Sequence, residues 1–438
     1  MIPAVIERGA GIDVGKKLIA VTLMYGAADQ EAHSRTRMFG TTTGELEHLR
    51  HWLLTAQCTH VAMESTGSYW KPIFNVLEDS LEVVLANPQQ VKQRKGHKTD
   101  KKDSWWLAHL LRHGMIRPSF IPPRGVRQLR DLTRRRKRMV GAATSERNRV
   151  EKILQEANVK LSSAISNIFG VSGQQMLEAL LEGQQDPVKI AHLARRRAKQ
   201  KIPEITAALQ GNRFDDHHRQ MIRLCLDHLR FLEQQIAALD EQIANTIRTQ
   251  GWNRQWEMLQ TLPGLSQVSA ASLLAETGPD LKAFHSVKDF ASWAGICPGN
   301  NRSAGKNRSS RTTKGNRWLR ATLGECAWAA AQTKNCFLKE KFWRLKTKGM
   351  HAAAAITAIS HTLLQLYYKV LTTNEPFQQK GLPPIDDRTR QRLIRHHIRR
   401  LGVLGVAVYY GAQTVSPSTS QNPTPTSSPQ TKEIVLNN

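Results

Sequence analysis

The chain has 438 residues, with 63 Lys and Arg against 36 Asp and Glu, and a formal charge of +27. This length exceeds one ordinary core and predicts two or three domains. The positive charge favours nucleic acid as the partner, because a cationic surface releases counterions condensed on a phosphate backbone. The five cysteines form no C-x-x-C pair, and the histidine pairs His217/His218 and His396/His397 have no H-x-x-x-H metal spacing, so zinc sites and disulfides are not expected.

Much of the positive charge is clustered. Residues 134–138 form one run of five cations, and a second run lies between Arg195 and Lys201. Clustering favours nucleic-acid binding over the alternative of a generally basic, solvated surface.

Neither a signal peptide nor a membrane span is expected. Glu7, Arg8 and Asp13 interrupt the start of the chain, and the most apolar later stretch, 352–371, contains polar residues such as Lys369. We therefore expect a cytoplasmic, nucleoid-associated protein without a membrane partner.

The first hundred residues carry the element order of an α/β RNase H/RuvC-like domain. Apolar residues run up to Asp13, and further strand-like runs begin at Leu18 and at Arg35. Helices and strands then alternate: a helix from Thr43 to about Gln57, a strand from His60 to Glu64, a helix from about Tyr69 to Glu78, a strand from Leu81 to Ala86, and a helix opened by Asp100. Other α/β folds share parts of this order.

Beyond residue 126 the sequence predicts helices. Apolar residues recur every three or four positions from Met221 to Ile247, which predicts a long helix with one apolar stripe, suited to a hairpin, a coiled coil or a bundle. The expected organisation is a RuvC-like domain over 1–125, a helical or coiled-coil region over 126–255, a mainly α C-terminal domain over 256–375, and a basic helix with a disordered tail over 376–438.

Four carboxylates lie where a two-metal nuclease needs them. Asp13 is on the first strand, Glu64 ends the fourth, and Asp100 and Asp103 open the following helix. Strand ends and the next helix meet at one edge of an open α/β sheet, and Mg²⁺ or Mn²⁺ prefers oxygen ligands. Each acid alone is more typical of a helix cap or strand end, so the hypothesis depends on all four together.

Cations surround the last pair of acids, as expected beside a phosphate backbone. The candidates for nucleic-acid contact here are Lys92, Arg94, Lys95 and Lys98.

The segment 295–320 is rich in Gly and Asn, which predicts a loop, and it has many cations and one candidate nucleophile, Ser303. The cations expected to contact phosphate are Arg302, Lys306, Arg308, Arg311, Lys314 and Arg317. On spacing alone, Ser303 competes with Ser309, with Ser310 and with the interpretation of an ordinary loop serine. Upstream, residues 261–265 are typical of the turn in a helix-hairpin-helix.

These pieces together resemble the DEDD-type transposases of bacterial insertion sequences, the IS110 and IS1111 group. The matching motifs occur in family order: Gly11-Ile-Asp-Val-Gly-Lys16, Met63-Glu-Ser-Thr-Gly-Ser-Tyr-Trp70, Lys98-Thr-Asp-Lys-Lys-Asp103, Leu262-Pro-Gly-Leu265, Ser303-Ala-Gly-Lys306 and Lys314-Gly-Asn-Arg-Trp-Leu-Arg320. The chain departs from the family where Ser104-Trp105-Trp106 follows Asp103, since Ala is usual directly after that acid, and in its long tail.

The resemblance implies a recombinase guided by a structured bridge RNA, with Asp13, Glu64, Asp100 and Asp103 as metal ligands and Ser303 as the nucleophile. It also implies a homo-oligomer, a dimer or tetramer, that associates through a coiled coil and builds each active site from two protomers. Its DNA partners would be the element ends and the target. A serine that attacks phosphorus keeps the bond energy in a phosphoserine, so strands are rejoined without ATP.

Two other functions fit parts of the sequence. A junction-resolving nuclease would use the four acids with water and would not need Ser303. A binding protein with decayed acids is disfavoured, because all four carboxylates are present.

Overall fold

The computed structural model describes residues 4–65, 67–87, 91, 99–297, 301–303, 306–309, 312–379, 387–406, 408–410, 413–414 and 434–435. Within these residues, no helix is both long enough and apolar enough to cross a membrane.

The N-terminal unit has the predicted element order. Its strands and helices are β1 (Arg8–Val14), β2 (Leu18–Tyr25), β3 (His33–Gly40), α1 (Thr43–Thr55), β4 (His60–Glu64), α2 (Trp70–Leu77), β5 (Glu82–Ala86) and α3 (Asp100–Arg112). The sheet order is β3-β2-β1-β4-β5, with antiparallel pairs on the β3 side and parallel pairs from β1 to β5. The predicted mixed α/β architecture is confirmed.

Helices cover both faces of this sheet. On one face, Ile12, Val21 and Met63 pack with leucines of α1 and α2. On the other face, Ala62 packs with Leu107 and other apolar residues of α3. Successive side chains of a strand point to opposite faces of the sheet. Since Ile12 faces α1, the next residue, Asp13, faces α3.

A long antiparallel helical hairpin follows, formed by α4 (Arg124–Glu156) and α9 (Asp216–Thr249). Met139 and Ala143 of α4 pack against Leu229 and Leu232 of α9. The apolar stripe predicted on α9 is thus covered within the same chain. Association of this hairpin with another chain stays a prediction.

Short helices fill the far end of the hairpin. They are α5 (Leu161–Ala164), α6 (Val171–Leu181), α7 (Pro187–Ala191), a 3-10 helix (Arg196–Lys201) and α8 (Ile202–Leu209). They share one apolar core with Val150 of α4 and Ile222 of α9.

The C-terminal unit is rich in helices, as predicted. Its elements are α10 (Asn253–Gln260), α11 (Gln267–Thr277), α12 (Val287–Ala294), β6 (Asn301–Ser303), β7 (Lys306–Ser309), α13 (Arg317–Gln332), α14 (Phe337–Thr347) and α15 (Ala352–Thr373). The predicted loop contains a short antiparallel ribbon, β6–β7. Strands of three and four polar residues have no apolar alternation, so their composition indicates only a loop.

Contacts of Arg127 and Phe120 hold the N-terminal unit against the rest. Arg127 of α4 donates to Glu78, with Nη2 2.7 Å from Oε1. Phe120, in the connection to α4, packs on Phe284 and Trp293 with ring centroids 5.5 and 5.8 Å apart.

The predicted basic helix of the tail is α16 (Asp387–Val403). After it come β8 (Val408–Tyr410), β9 (Gln413–Thr414) and β10 (Ile434–Val435), which form one small sheet. Ile434–Val435 pairs with β8 in parallel. The disorder expected in the tail stays a prediction, and the residues from 416 onward other than 434–435 lie outside the described residues.

Candidate active site

Asp13 and Glu64 lie side by side at the ends of two neighbouring parallel strands. The paired positions of β1 and β4 run from Gly9 with His60 to Ile12 with Met63, and the two acids are the next residues on each strand. Asp13 shares a face of β1 with Gly11, and Glu64 shares a face of β4 with Ala62. Both carboxylates are half-buried.

Helix α3 crosses this same face in the direction opposite to β1. A Cβ on Gly9 would lie 3.3 Å from Leu111, and a Cβ on Gly11 would lie 2.2 Å from the carbonyl oxygen of Ser104. The hydroxyls of Ser104 and Thr22 are 2.8 Å apart and buried, which fixes the crossing point. Only glycine at position 11 allows the helix to approach so closely.

The first turn of α3 consequently lies toward the ends of β1 and β4. Two residues along β1, from Gly11 to Asp13, advance about 6.6 Å, and four residues back along α3, from Ser104 to Asp100, cover about 6 Å. The backbone thus carries Asp13, Glu64, Asp100 and Asp103 to one edge of the sheet. Within the described residues, no three Asp, Glu, His or Cys side chains are gathered closely enough to hold a metal ion.

Helix α3 is capped by Thr99 and not by either acid. The Thr99 hydroxyl accepts a hydrogen bond from the backbone N–H of Lys102 at 3.4 Å. Asp100 and Asp103 occupy the first turn, where the helix dipole favours negative charge. The capping role is therefore filled without them.

Ser303 lies at the end of the β6–β7 ribbon, paired with Lys306. The base of this segment is closed by Gly295 and Gly315, whose backbones touch. A Cβ on Gly315 would lie 2.4 Å from the nitrogen of Gly295, and Gly295 has φ +70°. We call this contact of Gly295 with Gly315 the neck, and the ribbon lies in the segment between these two glycines. The neck belongs to the C-terminal core, which is a different core from that of the four acids.

The predicted phosphate contacts fall into three groups. Lys314 and Arg317 are exposed next to the neck. Arg302, Lys306 and Arg308 lie on the backbone of the ribbon. The remaining predictions lie outside the described residues: Lys92, Arg94, Lys95, Lys98 and Arg311.

The cation run at 134–138 is largely engaged within the chain. Arg134, Arg136 and Lys137 form ion pairs with Glu276, Asp240 and Glu325, respectively. Arg138 lies over the ring of Trp318, 5.7 Å from its centroid. Clustering in the sequence thus overstates the positive charge that this run offers to a ligand.

Glu276, at the end of α11, joins three parts of the chain and was missed by sequence reasoning. It is 3% exposed and accepts hydrogen bonds from Arg134 of α4 and from the Asn316 amide, at 2.6 Å. Asn316 caps α13 through Trp318 and Leu319, directly after the neck. Burial lowers the pKa of the neighbouring Arg130, and Glu276 opposes that shift. The one sequence feature that could have identified Glu276 is the presence of an acid within the Ala-rich helix α11.

The predicted helix-hairpin-helix turn packs against α13. A Cβ on Gly264, which has φ +79°, would lie 2.3 Å from the carbonyl oxygen of Cys326. The turn is present between α10 and α11, and its glycine is required by this contact.

Two family models match the chain. One, for the DEDD transposases of the IS110 group and described as a transposase, covers residues 10–159. The other, the "Transposase IS116/IS110/IS902 family", covers residues 256–341. The first includes all four acids and the second includes Ser303, Glu276 and the neck.

Curated relatives have matching names. The "Probable family 20 transposase" of Pseudomonas aeruginosa is 27% identical over 60% of this chain and 68% of its own. The "Putative transposase y4pF/y4sB" of Sinorhizobium fredii is 26% identical over 73% of this chain and 75% of its own. Among solved structures, Thermus thermophilus RuvC is 15% identical with a TM-score of 0.22, over 26% of this chain and 99% of its own.

The class is therefore an insertion-sequence transposase, an enzyme that binds DNA and cleaves nucleic acid. Within this class, the chain belongs to the IS110 family of transposases, which both family models identify in separate parts of the sequence.

Proposed function

We propose that this transposase cuts and rejoins DNA through a phosphoserine intermediate at Ser303, with divalent metal ions held by Asp13, Glu64, Asp100 and Asp103. The observation that carries the proposal is the position of Asp13 beside Glu64, with the first turn of α3 directed over both. We assign the unit around them to the RNase H/RuvC-like fold on the strength of its strand order.

The donor set fits Mg²⁺ or Mn²⁺, since all four side chains offer carboxylate oxygens, which hard cations prefer. Such ions stabilise charge on the attacking and leaving oxygens of a phosphoryl transfer. Four carboxylates repel one another, so a cation would draw these side chains the remaining distance together. The Ser104–Thr22 contact keeps the start of α3 in place for this rearrangement.

In the proposed reaction, the Ser303 oxygen forms a bond to phosphorus while the bond to the departing sugar oxygen breaks. The serine loses its proton, and the departing oxygen takes one up. Attack by the hydroxyl of another strand reverses these changes and releases the serine. The exposed cations Lys314 and Arg317, near the neck, would bind the adjacent phosphates.

We further propose that an RNA guide selects the DNA and that protomers associate through the α4–α9 hairpin as a dimer or tetramer. The charge of +27 supports binding of two polyanions. The acids and Ser303 belong to separate cores, which is compatible with an active site built from two protomers. The four domains would follow the boundaries expected from the sequence.

The test is metal dependence of strand cleavage by the purified protein with element-end DNA and its guide RNA. Cleavage should require Mg²⁺ or Mn²⁺ and stop when a chelator is added. Cleavage that persists after chelation would show that the acids are structural. Metal-dependent cleavage without any covalent intermediate would favour a nuclease that uses water.

A further inference from the structure

The outer side of α3 carries an exposed aromatic side chain that the proposed chemistry does not use. Trp105 is 41% exposed, although it follows Asp103 by only two residues. Two residues along a helix correspond to a rotation of about 200°, so Trp105 faces away from the acids. The substantial contacts of α3 are all with β1, β2, β3 and β4, on its other side.

Trp105 has one supported ring face. Its ring stacks on His109 with centroids 5.1 Å apart and planes 7° from parallel. Trp106 also stacks on His109, at 5.8 Å, and donates from Nε1 to the carbonyl of Val91 at 3.0 Å. Partly buried Trp106 therefore packs against His109, and His109 covers one face of the Trp105 indole.

Cations adjoin this ring. Lys101 and Lys102 are exposed and lie four and three residues before Trp105, on the same side of α3. One turn of helix spans about 5.4 Å, close to the distance between a base and its own phosphate. An aromatic ring beside cations is the arrangement that binds single-stranded nucleic acid, because bases stack on the ring while the cations contact the backbone.

We propose that Trp105 and Lys101 form a binding site for one unpaired nucleotide, with the base on the indole and the phosphate at the ammonium group. Bases in an intact duplex are already stacked, so the site selects unpaired strands. This proposal rests on the proposed function in one respect: it assumes that an unpaired strand passes near the edge of the sheet that carries the four acids. Unpaired DNA and unpaired RNA share this chemistry.

The test measures binding of the full-length protein to labelled oligonucleotides of about 12 nucleotides, as single-stranded DNA, single-stranded RNA and duplex DNA. A chelator is present and the salt concentration is high, because salt weakens phosphate contacts more than stacking. Trp105→Ala should weaken single-strand binding about 5- to 100-fold, with little change for the duplex. Trp105→Phe should restore most of the affinity. The strand whose binding is weakened more by Trp105→Ala, DNA or RNA, is the natural ligand of the site.

Trp343→Ala is the matched control, since Trp343 is 55% exposed and lies on α14. It should bind like the unsubstituted protein. Photo-crosslinking with an iodouracil-substituted strand should also label Trp105. Binding of both single strands within twofold in Trp105→Ala, or an equal loss in Trp343→Ala, would overturn the proposal. Because no metal is present, failure of the phosphoserine mechanism would leave this result unaffected.

Discussion

The guanidinium of Arg134 donates two hydrogen bonds to the carboxylate of Glu276, each with a donor–acceptor distance of 2.8 Å. This pair joins the hairpin to the C-terminal core, and the same carboxylate binds the Asn316 amide beside the serine segment. Glu276 therefore links α4, α11 and the start of α13 through one carboxylate.

Removing the negative charge of Glu276 should destabilise the protein, because Arg130 and Arg134 would lose their partner in a largely buried position. We expect Glu276→Gln to lower the free energy of unfolding by about 3 kcal/mol, measured by denaturant titration. Glu325→Gln is the control, since it breaks the exposed Lys137 pair that α4 makes with α13, whereas Glu276 lies on α11. It should cost at most about 1 kcal/mol. Equal losses in both variants would contradict the special role of Glu276.

Closing of the neck should require glycine at position 315. Gly315→Ala places a methyl group 2.4 Å from the Gly295 nitrogen, so we expect lower stability and slower strand transfer. Gly324→Ala, within α13, meets no atom within 4 Å and should instead stabilise the protein by about 0.5–1 kcal/mol. Thermal unfolding and a strand-transfer assay measure both variants. Unchanged activity in Gly315→Ala would show that the neck does not position the ribbon.

The acidic site can be tested one ligand at a time. Asp13→Asn, Glu64→Gln, Asp100→Asn and Asp103→Asn should each abolish cleavage while nucleic-acid binding is retained, since the basic surface is unchanged. Asp79→Asn, at an exposed acid after α2, should cleave normally. Full activity in two of the four site variants would refute the metal site.

Within the cation run at 134–138, substitution of an exposed residue and of an ion-paired residue should affect different properties. Arg135 is exposed, whereas Arg136 is paired with Asp240 and 19% exposed. If Arg135 contacts phosphate, Arg135→Ala should reduce the slope of log affinity against log salt by about 0.9. Arg136→Ala should mainly lower stability. A flat salt dependence of the unsubstituted protein would refute the electrostatic account altogether.

Local patterns predicted the N-terminal sheet well. Apolar runs and helix starts are encoded within a few residues, so the order of elements and the positions of Asp13 and Glu64 at strand ends followed from the sequence. Gly11 appeared only as part of a motif, because its close approach to α3 depends on Ser104, far along the chain.

Long-range polar contacts were not predictable in the same way. Glu276 is 142 residues from Arg134 and 40 from Asn316, and no periodicity links them. The run at 134–138 looked like a free cationic surface for the same reason, since the acids that pair with it lie in other helices. The ribbon around Ser303 was too short and too polar to show a strand pattern.

The covalent intermediate at Ser303 is tested most directly by mass mapping of a protein–DNA adduct. A reaction with a suicide DNA substrate that traps the cleaved strand is denatured and digested, and the modified peptide is identified. We predict that the adduct is on Ser303, that Ser309→Ala and Ser310→Ala retain it, and that Ser303→Ala binds DNA but yields neither adduct nor recombinant. An adduct on Ser309 or Ser310, or normal cleavage by Ser303→Ala without any adduct, would contradict the account.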